Sequence, residues 1–114
     1  MKVSIKRVYD PPSPSDGKRI LVDRLWPRGI RKEELHADVW MRDIAPSNEL
    51  RKWFNHDPRR WDDFVKRYAV ELEENNELAT LKALAVHSHI TLLYAAKDTE
   101  HNNAAALAQF LRPR

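Results

Sequence analysis

The 114-residue chain contains no cysteine and only two glycines, Gly17 and Gly29. The first absence excludes disulfides, cysteine-ligated zinc and thiol nucleophiles. The second excludes the glycine-rich loops that cradle phosphates or dinucleotides, since each needs at least two closely spaced glycines. No Gly-x-Ser-x-Gly elbow and no paired-histidine metalloprotease motif occur. Apolar runs stay far below the ~20 residues that span a bilayer. The opening "MKVSIKRVYD" places charges where a signal peptide would need an apolar stretch. Together these features give the expectation of a cytosolic location with no membrane contact.

With 42% hydrophobic and 32% charged residues, the composition suits one soluble globular domain with a small core. The net charge of +3 is unevenly spread. Residues 1–32 hold nine Lys or Arg against three acids, Asp10, Asp16 and Asp23, whereas the remainder is net negative. Such a concentration can steer an anionic ligand or a nucleic-acid backbone, or form a solvated basic face.

Patterning places the elements. "KVSIKRVY" (2–9) reads as a first strand, and "DPPSPSDG", with three prolines and a glycine, as a rigid loop. Ile20 to Arg24 reads as a second strand. It is followed by the Trp26-Pro27-Arg28-Gly29 turn and a helical turn at Lys32–Leu35. "DVWMRDI" suits either a short strand or an extended loop. Ser47 can cap a helix through Leu50, Trp53 and Phe54. Asp57 and Pro58 suit the start of another, with Asp62 and Asp63 favoured by its dipole. Trp61, Phe64, Val65, Tyr68 and Leu72 mark its core face. A helix over Glu77–Val86, a doubly buried strand over Ile90–Ala96 and a last helix through Ala104, Leu107, Ala108 and Leu111 complete the chain.

Strands separated by helices predict an α/β class: a small single-domain layered fold with a mostly parallel sheet of three to four strands packed by helices. The strand order stays open, because Asp10–Lys18 is short for a helical crossover and long for a tight hairpin. In parallel sheets, ligands bind beyond the carboxyl ends of the strands. The three clear strands end in Tyr9-Asp10, Asp23-Arg24 and Lys97-Asp98. If they run the same way, these endings share one rim with Trp26, Arg28, His101, Asn102 and Asn103.

This assigns expected roles. Arg24 and Arg28 would grip an anion by forked hydrogen bonds, Lys97 would add charge and Asn102 would orient the ligand. His101 or Asp23 would handle a proton. Tyr9, Asp10, Trp26 and Asp98 would line the pocket. The four tryptophans, Trp26, Trp40, Trp53 and Trp61, are expected in core and loop packing rather than base stacking. His87 and His89 could share one side of a strand, but no third ligand at a recognisable spacing supports a metal site. No cofactor is implied. The expected ligand is a phosphorylated or nucleotide-like small molecule, and the oligomeric state stays open. The alternative is a nucleic-acid- or protein-binding module using the basic N-terminal quarter, although no helix-turn-helix or RNA-binding motif accompanies it.

Three stretches carry a family resemblance: "KRVYDPPSPSDGKRILVDRLWPRGIRKEEL", "WMRDIAPSNELRKWFNHDP" and "LLYAAKDTEHNNAAALAQFL". Together they resemble the YeaO-like bacterial proteins, domain-of-unknown-function family 488, across residues 1–114. The resemblance implies a compact α/β fold in a cytosolic bacterial protein. Wider relatives are similar around the Val-Asp-Arg block but tend to carry a Cys-His-Arg cluster after the last strand. Here the corresponding residues are Tyr94-Ala95-Ala96-Lys97-Asp98 and His101-Asn102-Asn103. The resemblance therefore implies a polar site in the same place without thiol chemistry.

Overall fold

In the computed structural model, which describes residues 2–112, four strands form one sheet in which every pairing is parallel. They are β1 (Val3–Arg7), β2 (Lys18–Leu21), β3 (Val39–Trp40) and β4 (Ile90–Tyr94). Their order across the sheet is β1-β4-β2-β3. The most apolar strand, β4, is therefore internal, and all five of its residues are buried. Buried on both faces, such a strand needs no polar alternation, which explains its continuous apolar run. Residues 1, 113 and 114 of the expected domain lie outside the described residues.

The order answers the crossover question. The segment 8–17 leaves the carboxyl end of β1 and returns to the amino end of β2 with only a 3-10 turn, Pro14–Asp16, along the way. Asp16 anchors it from beneath. Its carboxylate accepts from Lys6 Nζ at 2.8 Å, from Arg19 Nη1 at 2.5 Å and from the Ser13 amide at 2.9 Å. Thr91 Oγ1 donates to the Asp16 carbonyl at 2.7 Å, which ties the loop to β4.

Five helices follow the sequence pattern: α1 (Lys32–Leu35), α2 (Asn48–Phe54), α3 (Trp61–Glu73), α4 (Leu78–His87) and α5 (Asn103–Leu111). "DVWMRDI" divides into β3 and a 3-10 turn, Arg42–Ile44. Asp57 and Pro58 open a further 3-10 turn, Pro58–Arg60, that leads into α3. Ser47 caps α2, its Oγ accepting from the Leu50 amide at 3.1 Å. Glu71 of α3 holds that cap in turn, accepting from the Ser47 amide at 2.9 Å and its hydroxyl at 2.6 Å. Phe64, Tyr68 and Leu72 turn α3 into the core. Burial of side chains of this size stabilises by about 1.5–3 kcal/mol each. Tyr68 also satisfies its hydroxyl, donating to the Ile44 carbonyl at 2.6 Å. Among the described residues no helix is long and apolar enough to cross a membrane.

Three strands end earlier than their sequence patterns suggest: β1 at Arg7, β2 at Leu21 and β4 at Tyr94. For β2 and β4 the physical cause is shared. Val22 still donates to Leu93 at 3.1 Å, but the next amide along β4, that of Ala95, donates to the Asp23 side chain at 2.9 Å. A carboxylate has replaced a ladder partner, so both chains separate there and leave a gap.

Candidate functional site

Because the strands are parallel, the residues following β1, β2 and β4 emerge on one edge of the sheet. The gap opens into a cleft of about 590 Å³. Its floor and one wall come from the segment after β2, Asp23 to Arg28. Ala95 and Ala96 follow from β4, and His101, Asn102 and Asn103 stand at the start of α5. The opposite wall is α2 and its exit, where Arg51, Lys52, Phe54, Asn55 and His56 reach the cleft. Tyr9 closes it from the β1 side.

Asp23 is the most constrained group. Its Oδ1 accepts from Asn103 Nδ2 and its Oδ2 from the Ala95 amide, both at 2.9 Å. The same Asn103 amide reaches the Val22 carbonyl at 3.1 Å. Burial pushes the Asp23 carboxyl above its usual range, against the opposing pull of Asn103, Ala95 and the more distant Arg51. A carboxyl raised by burial on a cleft wall is the kind of perturbed group that marks a candidate binding site.

His101 sits across the cleft edge. Its Nδ1 lies 3.0 Å from Asp98 Oδ2, and its ring meets Trp61 edge-on with centroids 5.3 Å apart. Asp98 also accepts from the amides of Glu100 and His101 at 2.9 Å. Those amides, with His101, hold its carboxyl below the usual range. An ionised Asp98 orients the imidazole through Nδ1, so Nε2 is the nitrogen left for a ligand.

The expected site residues divide. Tyr9, Asp23, Arg24, Trp26, Arg28, His101 and Asn102 line the cleft, whereas Asp10, Lys97 and Asp98 do not. Lys97 is exposed on the loop beyond β4. Asp98 acts from behind, through His101. Arg24 lines the cleft but is engaged within the fold: its Nη2 donates to the carbonyls of Ala45 at 3.2 Å and Pro46 at 3.3 Å. Asn102 is buried and caps α5, its Oδ1 accepting from the Ala105 amide at 2.8 Å. Its Nδ2 donates to the Asp98 carbonyl at 2.9 Å, so both polar ends are taken. Arg28 is exposed, and its carbonyl receives the Tyr9 hydroxyl at 3.1 Å. Trp26 packs edge-on to Trp40, centroids 5.4 Å apart, and donates to the Ile30 carbonyl.

Arg51, Lys52, Asn55 and His56 escaped the sequence reading. Their signal lay in helical phase: with Leu50, Trp53 and Phe54 turned inward, Arg51 and Lys52 occupy the outward face of α2. That this face looks onto the ends of β2 and β4 is a tertiary fact. His89, by contrast, pairs with Ser4 at 2.9 Å, and His87 is exposed. Among the described residues no group of three His, Cys, Asp or Glu could hold a metal ion.

Nearly half of the cations in the basic N-terminal quarter are engaged inside the fold. Lys6 and Arg19 meet Asp16. Arg7 donates to the carbonyls of Ala96 and Ala95, and Arg24 to those of Ala45 and Pro46. Four of the nine cations in residues 1–32 are thus committed to holding loops.

Fold and cleft together define a small all-parallel α/β protein with a cleft of charged and apolar side chains at the carboxyl edge of its sheet. The chain belongs to the YeaO-like DUF488 family: the family model described as "Inactive DUF488-N3 subclade" matches residues 2–114. It is 48% identical over 113 residues to the uncharacterised protein YeaO of Escherichia coli (strain K12), covering 98% of each chain. It is 44% identical over 113 residues to the uncharacterised protein Rv3073c of Mycobacterium tuberculosis (strain ATCC 25618 / H37Rv), covering 99% of this chain and 96% of that one. No solved structure matches the chain significantly.

Proposed function

We propose that this protein is a binding protein for a phosphorylated or nucleotide-like small molecule, held in the cleft without turnover. The observation that carries this reading is the charge of the lining: Arg24, Arg28, Arg51 and Lys52 against a single carboxylate, Asp23. Arginine forks and a lysine point charge are the side chains that best meet phosphate oxygens, and clefts focus their field on an entering anion. With Arg24 engaged by two carbonyls, the grip falls to the exposed Arg28, Arg51 and Lys52. The word "inactive" in the family's description accords with binding rather than catalysis.

Titration calorimetry with inorganic phosphate and pyrophosphate tests this. Arg28→Ala with Lys52→Ala is expected to weaken pyrophosphate binding at least about tenfold, since each charge-assisted hydrogen bond contributes about 1.5–3 kcal/mol. The melting temperature should hardly change. Arg24→Ala should instead lower it, because the Ala45–Pro46 segment loses its tether. Pyrophosphate affinity that survives the double substitution refutes the assignment. Strong, salt-sensitive binding of mixed DNA or RNA would transfer it to the nucleic-acid-binding alternative.

A further inference from the structure

The Asp23 carboxylate lines the cleft, and its surroundings suit one class of partner. An ionised carboxylate offers about four acceptor positions, two on each oxygen. The fold fills one on Oδ1 with Asn103 and one on Oδ2 with the Ala95 amide. Each oxygen thus holds one protein donor, and the group lines the cleft, where a ligand can meet it. Among the described residues no lysine or arginine pairs with it, and Arg51 acts on it only through space. A part-buried carboxylate without a cation is costly to keep. A carboxylate can take two parallel N–H donors from one planar edge, one on each oxygen. A guanidinium, an amidine or the N1–H/2-amino edge of guanine supplies such an edge, whereas a single ammonium does not.

The rest of the lining chooses among these. A cationic guanidinium or amidine would enter against Arg28, Arg51 and Lys52. A guanine edge is neutral, so it meets Asp23 without that repulsion, and an attached phosphate gains from the same cations. Leu25, Trp26, Pro27, Pro46 and Ala95 provide apolar walls for a flat ring. The geometry points to a guanine nucleotide as the ligand, with its N1–H/2-amino edge on Asp23 and its phosphate on Arg28, Arg51 and Lys52. This rests on the phosphorylated-ligand reading above and narrows it to one base.

The test is calorimetric titration of the full wild-type chain with GMP, IMP, AMP and inorganic phosphate. IMP lacks only the 2-amino donor, and AMP presents an acceptor where guanine presents N1–H. GMP is expected to bind at least about tenfold more tightly than either, because a polar site built for a donor rejects an analogue lacking it. Asp23→Asn, checked for folding by circular dichroism, should bring GMP affinity down to that of AMP. Equal affinities for GMP, IMP and AMP overturn the guanine assignment while leaving the anion reading intact. A folded Asp23→Asn variant that keeps the GMP preference overturns it as well. Absence of binding by all four, phosphate included, removes the anion reading and this inference together. Should Asp23→Asn fail to fold, the wild-type ligand series decides alone.

Discussion

Removing the Asp16 carboxylate should test whether the crossover loop is held by a buried ion pair. The side chains of Asp16 and Arg19 are only 7% and 6% exposed, and Lys6 is 22% exposed. Asp16→Ala leaves Arg19 buried with one hydrogen bond to protein, from Nη2 to the Leu35 carbonyl at 2.9 Å. Breaking one side of a buried pair costs about 3–5 kcal/mol, because the remaining charge stays desolvated. The shared, more exposed Lys6 adds little, so a loss near 4 kcal/mol is expected. That is a large part of the 5–15 kcal/mol typical of a domain. Urea unfolding followed by circular dichroism reads the loss, and the double variant Asp16→Ala/Arg19→Met should recover at least about 1 kcal/mol by removing the stranded charge. The pH dependence carries the same signature. Burial alone would raise the Asp16 carboxyl, but Lys6, Ser13 and Arg19 together hold it below 3.8. A depressed carboxyl stabilises the fold above its unfolded value and loses that contribution as pH falls through the folded value. The stability gap between wild type and Asp16→Asn should therefore persist at neutral pH and close below pH 3.8. A cost for Asp16→Ala under about 1 kcal/mol, or a double variant worse than the single, would refute the reasoning.

Two further outcomes follow from local geometry. Gly17 has φ +65°, and a β-carbon there would lie 2.2 Å from the His89 carbonyl oxygen, whereas one at Gly29, φ +76°, would meet nothing within 4 Å. Gly17→Ala should cost about 2–4 kcal/mol from strain and overpacking combined, and Gly29→Ala only about 1–2 kcal/mol from strain, as measured by urea midpoints. Asn102→Ala should cost about 1–2 kcal/mol through loss of the α5 cap, and Asn102→Ser, whose hydroxyl can still accept from the Ala105 amide without setting a carboxylate against the Asp98 carbonyl, should restore part of it. Equal losses for alanine and serine would show that Asn102 does not act as a cap.

Much of the fold was legible because local rules and burial agreed. Ser47 and Asp57 cap where short polar side chains before apolar helical spacing should cap. The continuous apolar run at Ile90 became the internal strand that such a run requires. Element ends were less legible, because β2 and β4 are stopped by one side chain, Asp23, reaching an amide 72 residues away. The roles of Arg24 and Asn102 failed to show for the same reason. An arginine in sequence looks free to bind an anion until a distant pair of carbonyls, here Ala45 and Pro46, takes its donors.

Residue pattern alone determined the α/β class and the helix faces, since these depend on periodicity. Tertiary structure decided that β4 lies between β1 and β2, that much of the N-terminal positive charge is consumed within the fold, and that Arg51 and Lys52 face the cleft. Such facts depend on which segments pack side by side. Hydrogen bonds and charges between distant residues take their meaning only once the chain has closed.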